Sequence, residues 1–94
     1  MNNVILSSGA QESYRQILQF VYDYSVDAAL ELNDKMEKTL ERLAVFKNLC
    51  PPSGRFPKFR KCVLDRHVSM IYEVQQVNRI VVVAFIDNRM DNEI

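Results

Sequence analysis

The sequence predicts an α+β fold in the order β-α-α-β-β-β: an antiparallel sheet covered on one face by an antiparallel helical hairpin. Three observations predict it. Apolar residues recur every three and four positions from Ala10 to Phe46. After the Pro51-Pro52 break the apolar period becomes two. The length of 94 residues, 48% of them hydrophobic, holds one core and no second one, so residues 1–94 are expected to form a single domain. A domain of this size buries only roughly 60–65% of the surface its unfolded chain exposes, which leaves room for a partner to add stability.

Val4-Ile5-Leu6, bounded by asparagines and serines, reads as a brief first strand. Ser8-Gly9-Ala10-Gln11 has the S-x-x-Q form of a capping box opening the first helix. Ala10, Tyr14, Ile17, Leu18 and Val21 then form one apolar stripe, and the helix is expected to run to about Tyr24. Ser25-Val26-Asp27 is the break and cap before a second helix. That helix carries Ala29, Leu32, Met36, Leu40, Leu43 and Phe46 on its apolar face. Glu31–Lys35, Asp34–Lys38 and Lys38–Glu41 are opposite-charge pairs on its other face. So short a connection makes the two helices an antiparallel hairpin.

Leu49-Cys50-Pro51-Pro52-Ser53-Gly54 stops the second helix and opens a long loop to about Lys58. Phe59–Leu64, Val68–Val74 and Arg79–Ile86 are the remaining strands, with turns at Asp65-Arg66 and Gln75–Asn78. Short turns make these strands antiparallel neighbours. The last strand is apolar on both faces and so is expected to be central or covered on both sides. The polar tail from Asp87 to Ile94 is expected to be partly disordered.

Composition excludes several classes. Twelve basic and 12 acidic groups rule out a uniformly basic coat and an acidic tail. The longest apolar run, Ile80–Ile86, is far short of a membrane helix. The N-terminus lacks the basic, apolar, small-residue order of a leader, so no signal peptide is expected. Cys50 and Cys62 are in no CxxC pair and do not make a disulfide framework, and a single histidine makes a zinc site unexpected. A soluble, reducing, cytoplasmic setting fits these features. No P-loop, dinucleotide turn, nucleophile elbow or zincin motif is present, and no cofactor or metal is expected.

The zero net charge is uneven. Residues 1–50 hold five basic and seven acidic side chains, and residues 51–94 hold seven and five. Arg55, Lys58, Arg60, Lys61 and Arg66 crowd into one short segment against Asp65 alone. That segment reads either as a surface for phosphate or an acidic partner, or as a solvated sheet edge whose charges block aggregation. Strand alternation puts Arg60 and Lys61 on opposite faces. His67, beside a turn, is an acid–base candidate or an exposed turn residue. Tyr72 reads as core rather than catalytic, and Cys62 as a small buried hydrophobe. Arg89 is either a phosphate clamp or an arginine paired to Asp87 or Asp91. Phe20, Tyr22 and Tyr24 fill the core or accept a partner helix.

The order of elements, the strand Val-Ser-Met-Ile-Tyr-Glu-Val at 68–74 and the ending Phe85-Ile86-Asp87-Asn88-Arg89-Met90-Asp91 together resemble the RelE/ParE superfamily. Its members are toxins of bacterial type II toxin–antitoxin modules, also described as plasmid stabilisation proteins. The resemblance covers Val4 to Asp91. It implies that RelE-like members cleave messenger RNA on the ribosome through basic residues on the sheet's concave face and a C-terminal aromatic. ParE-like members lack that set and are linked to inhibition of DNA gyrase. The RelE basic positions fall here on Arg60, Cys62, Ser69 and Arg89, so two of the four are not basic. The aromatic position falls beyond Ile94.

The resemblance therefore implies a ParE-like toxin that inhibits growth and is not itself an enzyme. The alternative is a RelE-like endoribonuclease in which Arg60 and Arg89 stabilise charge and His67 moves protons, or an inactive relative that only binds an antitoxin. It also implies a cognate antitoxin as partner, an acidic amphipathic segment that folds against Arg55, Lys58, Arg60, Lys61, Tyr22 and Tyr24. Gyrase or the ribosome would be the cellular target. A homodimer is compatible with the sequence, and no membrane contact is expected.

Overall fold

The computed structural model describes residues 1–89. Its elements are β1 (Asn3–Leu6), α1 (Ser8–Tyr24), α2 (Val26–Val45), β2 (Phe59–Val63), β3 (Val68–Gln76) and β4 (Arg79–Asp87). Two helices lie against one four-stranded sheet of order β1-β4-β3-β2. The expectation for the tail falls on residues 90–94, outside the described residues, although Asp87 itself ends β4.

The meander β2-β3-β4 is antiparallel, as its short turns require. β1 instead pairs parallel with β4, Val4 opposite Ile80 and Leu6 opposite Val82, so the sheet is mixed. The short-turn rule does not reach β1, because two helices and two strands separate it from β4.

Paired residues share a face. Val68, Met70, Tyr72, Ile80, Val82, Cys62, Val4 and Leu6 therefore point to the helices and meet Ala10, Ile17, Leu32, Met36 and Leu43 in one core. A register shift interrupts β4: Tyr72 pairs with Val82 while Ile71 pairs with Ala84, leaving Val83 as the extra residue of a bulge. Beyond it Phe85, not Ala84, faces the helices and packs its ring 4.8 Å from that of Tyr14.

The first helix is capped one residue earlier than Ser8. Ser7 has extended backbone angles and its Oγ accepts from Ala10 N at 3.0 Å. Ser8 is already helical, and Gln11 donates to Leu6 O at 3.1 Å instead of closing a capping box. Ser7 sits where β1 ends, so it also covers the edge that β4 leaves open there. Its N–H donates to Val82 O at 3.0 Å and its hydroxyl to Val83 O at 3.3 Å. Nearly two turns on, Ser13 Oγ accepts from Phe85 N at 2.9 Å. The serine hydroxyls thus satisfy strand groups for which no further strand is available.

Between the helices the break contracts to one residue. Ser25 N donates to Val21 O at 2.7 Å, closing α1, and Ser25 Oγ accepts from Ala28 N at 3.2 Å, opening α2. Val26 and Asp27 are helical, with Asp27 in the first turn where the helix dipole favours it. Of the expected surface pairs, Lys38 meets Asp34 at 2.9 Å. Tyr14 Oη donates to Asn33 Oδ1 at 2.7 Å and so pins the two helices together. Phe46 is not the last residue of the apolar face. It caps α2 with an extended backbone and is 61% exposed.

Cys50 and Cys62 are joined in a disulfide, with Cα atoms 5.3 Å apart. This corrects the reading of Cys62 as a lone buried hydrophobe, and it removes the cysteine argument for a reducing setting. The pairing arises because the chain leaving α2 folds back along β2: Ser53 N donates to Phe59 O at 2.8 Å and Lys61 N to Pro51 O at 3.1 Å. Among the described residues no helix is long and apolar enough to cross a membrane.

Burial and the negative charge of Glu37 push the Tyr14 phenol up to about 12. Because the folded value exceeds the unfolded one, Tyr14 contributes its full stability below about pH 10. That contribution is lost as pH rises through about 12. A difference absorbance titration of wild type against Tyr14→Phe should therefore resolve a phenol ionising near 12. At neutral pH the same substitution should cost about 1 kcal/mol in denaturant unfolding. Ser7→Ala removes a cap and a strand-edge donor together, and should lower stability by about 1–2 kcal/mol in the same measurement. Ser8→Ala should be near neutral.

Candidate functional site

The end of β4, the β2–β3 turn and the tip of the helical hairpin converge. Asp65 organises the turn: its Oδ1 accepts from His67 N at 2.7 Å and Val68 N at 2.8 Å, an Asx turn that also starts β3. The His67 carbonyl in turn accepts from Asn88 N, tying the turn to the residue that follows β4. Asp87, 3% exposed, takes a two-pronged bond from Arg89, with Nη2 at 2.6 Å and Nε at 3.0 Å. Arg89 N adds a third at 2.9 Å. The guanidinium lies 5.4 Å from the centre of the Phe20 ring, a cation–π contact with α1.

Arg89's side-chain hydrogen bonds hold Asp87 below the usual carboxylate range, against the upward push of its burial. The charge of His67 lowers it further. The same bonds hold Arg89 above its ordinary value. A cavity of about 190 Å³ opens beside this cluster, lined by Phe20, Val21, Tyr24, Ala28, Asp65, His67, Val68 and Arg89. It combines an aromatic wall, an imidazole and a guanidinium whose fork is already engaged by a carboxylate. Such a site can stack a planar or apolar side chain and position a proton donor. Its positive charge is largely compensated from within.

Arg60 lies elsewhere. It pairs with Tyr72, which is five residues beyond His67 along β3, roughly 16 Å at about 3.3 Å per residue. It points to the helix side and its Nη1 donates to Cys50 O at 2.6 Å. Tyr72 beside it is fully buried. Its Oη donates to Lys47 O at 2.8 Å and accepts from Cys50 N at 3.2 Å. Burial pushes its phenol up, partly offset by the Cys50 amide and by the charge of Arg60. Arg60 and Tyr72 thus anchor the chain that leaves α2.

Of the residues considered for acid–base and charge roles, His67 and Arg89 share the cavity and Arg60 does not join them. Of the four RelE-type positions, Arg60 and Cys62 face the helices. Ser69 faces away and bonds Asn88 Nδ2 at 3.2 Å. Between the two pairings weighed for Arg89, Asp87 is the partner seen, while Asp91 lies outside the described residues. The partner-binding candidates fall on two surfaces separated by the length of α2, whose 20 residues span about 30 Å. Tyr22 and Tyr24 are exposed at the hairpin tip. Arg55 and Lys58 project from the loop at the far end, Arg55 over the Phe56 ring and Lys58 over Phe59 and 3.6 Å from Glu73. Lys61 sits on the sheet face opposite Arg60, level with Ile71.

Sequence reasoning missed the Phe20–Arg89 contact and the turn-organising role of Asp65. A carboxylate three residues before the start of a strand, at a turn, was the available signal for the second. The first joins residues far apart in the chain and leaves no local pattern.

The model of a protein family described as the ParE toxin of the type II toxin–antitoxin system, parDE, matches residues 4–92. No curated protein matches the chain. Among solved structures, a chromosomal ParDE toxin–antitoxin system from P. aeruginosa superposes with a TM-score of 0.72 at 16% identity, covering 93% of this chain and 96% of that one. A YoeB/ParE toxin from Agrobacterium tumefaciens gives 0.64 at 11% identity, covering 93% and 98%. The YoeB-YefM complex from Staphylococcus aureus gives 0.62 at 13% identity, covering 92% and 95%. At these identities the structures speak for the fold, and the family match over residues 4–92 carries the assignment. The chain belongs to the ParE toxin family of type II toxin–antitoxin systems.

Proposed function

We propose that residues 1–94 form one toxin domain that arrests bacterial growth in the cytoplasm by inhibiting DNA gyrase, and that a cognate antitoxin neutralises it. The family match over residues 4–92 carries this reading. The charge arrangement supports it. A phosphoryl-cleaving site needs several cations converging on one phosphate. Here Arg60 is bound to the Cys50 carbonyl at one end of the sheet and Arg89 to Asp87 at the other. A protein target, met through the exposed aromatics of the hairpin tip and the basic loop, demands no such convergence.

Both of those surfaces would suit an acidic amphipathic antitoxin segment, the helix tip offering apolar anchors and the loop offering charge. The ParDE and YoeB-YefM structures are solved as toxin–antitoxin systems, which supports a partner of that class here. One observation favours a ribosome-dependent nuclease as the second reading: His67 and Arg89 line the same cavity.

Induction of the chain in a bacterial host separates the two. The gyrase reading predicts filamentation, a DNA-damage response and loss of supercoiling by gyrase treated with purified protein. Rapid cleavage of translating messages within codons, abolished by His67→Ala, would replace it with the nuclease reading. Co-expression of a small protein encoded beside the toxin should restore growth and co-purify with it.

A further inference from the structure

The chain has two cysteines, and the bridge between them plays no part in the toxin reading. It joins residues 12 apart in sequence and closes a loop that carries Arg55, Lys58, Arg60 and Lys61. That loop has two unlike parts. Its base is held by the Ser53–Phe59 and Pro51–Lys61 backbone bonds, and by the Arg60 guanidinium on the Cys50 carbonyl. Its tip, residues 54–58, is exposed throughout. One backbone bond there runs from Phe59 N to Phe56 O, and Lys58 makes a solvent-facing approach of 3.6 Å to Glu73. Ion pairs of that kind add little stability. The two sulfurs also differ: Cys62 is 3% exposed and packed in the core, whereas Cys50 is only partly buried.

We propose that the Cys50–Cys62 bridge is a latch on the basic loop, opened by a dithiol reductant without unfolding the domain. A thiolate of the reductant attacks the more accessible Cys50 Sγ. The Cys50–Cys62 bond breaks, and Cys62 leaves as a thiolate and takes a proton. The reductant's second thiolate then attacks its own sulfur in the mixed disulfide, and Cys50 departs and is protonated. Two electrons pass from the reductant, which becomes a disulfide, to the two cysteines.

With the bridge closed, Arg55, Phe56 and Lys58 ride on a short constrained loop. With it open, the loop recovers conformational freedom that closure had removed. Most of the core lies outside the bridged segment, in the helices and in β1, β3 and β4, and the base of the loop is held without the bridge by the pairing of Phe59–Cys62 with β3. Tyr72 still holds Cys50 N and Lys47 O. Opening is therefore local, at the low-stability end of the molecule. This inference stands whether or not the gyrase reading does, because its readout requires no toxicity.

The experiment treats the purified full chain with dithiothreitol at neutral pH and no denaturant, then traps thiols with iodoacetamide. Mass spectrometry, far-UV circular dichroism and limited trypsin digestion are read on the same sample. The expected result is two trapped thiols, an unchanged dichroism spectrum and cleavage after Arg55 and Lys58 that is faster by at least about tenfold, as local opening allows. Cys50→Ser should be cleaved at the reduced rate with or without dithiothreitol. A bridge that yields only in denaturant, a spectrum that collapses on reduction, or cleavage that is no faster once the bridge is open would each overturn the latch.

Discussion

The whole molecule is arranged around one demand: β4, apolar from Ile80 to Ile86, must bury one face under the helices and satisfy both of its edges. β3 pairs one edge along its length, but β1 reaches only as far as Val82 on the other. The remaining edge groups are met by hydroxyls and one amide of Ser7 and Ser13. These bonds set where α1 lies on the sheet. Seventeen residues on from Ser7 the same helix ends at Tyr24, above the end of β4. The cavity that joins Phe20 and Tyr24 to His67 and Arg89 is thus a geometric consequence of how the strand edge is closed.

The bulge at Val83 belongs to the same constraint. An uninterrupted β4 would carry Ile80, Val82, Ala84 and Ile86 toward the helices and turn Phe85 away. One extra residue exchanges Ala84 for Phe85 at the helix face, filling the space beside Tyr14 with a ring in place of a methyl group. This explains why the bulge was invisible in the sequence. A run that is apolar at every position has no alternation whose interruption could be noticed. The helices were legible because each shows one period cleanly, and the meander because turn residues divide its three apolar runs. The parallel pairing of β1 was not, since turn length speaks only for strands that a turn connects. The cap was placed one residue late because Ser7 and Ser8 are adjacent and equally suited chemically, and only the end of β1 decides between them.

The site was legible as a list of residue types and not as an arrangement. Arg89 pairing with Asp87 follows from their separation of two residues, and that pairing was among the options the sequence offered. The nearness of His67 to Arg89 depends on β3 and β4 being paired from Val68 to Asp87, which brings the start of one strand to the end of the other. The distance of Arg60 follows from the same ladder read in the opposite direction. The disulfide was hidden for a different reason. A spacing of 12 matches no metal or redox motif, and the fold-back of residues 51–53 onto β2 that brings the sulfurs together is irregular chain with no periodic signal.

Tyr72 shows how the core and the basic loop are coupled. A buried phenol must find partners or lose more than a hydrogen bond is worth. Its partners here are Lys47 O and Cys50 N, in the segment where α2 ends and the chain turns toward β2. Arg60, level with Tyr72 in the sheet, adds its own bond to the Cys50 carbonyl. A guanidinium in the most basic segment of the sequence is therefore used to hold that segment in place. Arg89 is used in the same way at the opposite end of the sheet. Net charge alone would have described the second half of the chain as a cationic surface. Two of its arginines are instead engaged by a carbonyl and a buried carboxylate, and the exposed groups are spread out: a short basic loop at one end, an aromatic helix tip at the other, and Arg66 and Arg79 at separate turns. That division suits recognition of another protein better than the convergent cation field a phosphodiester requires.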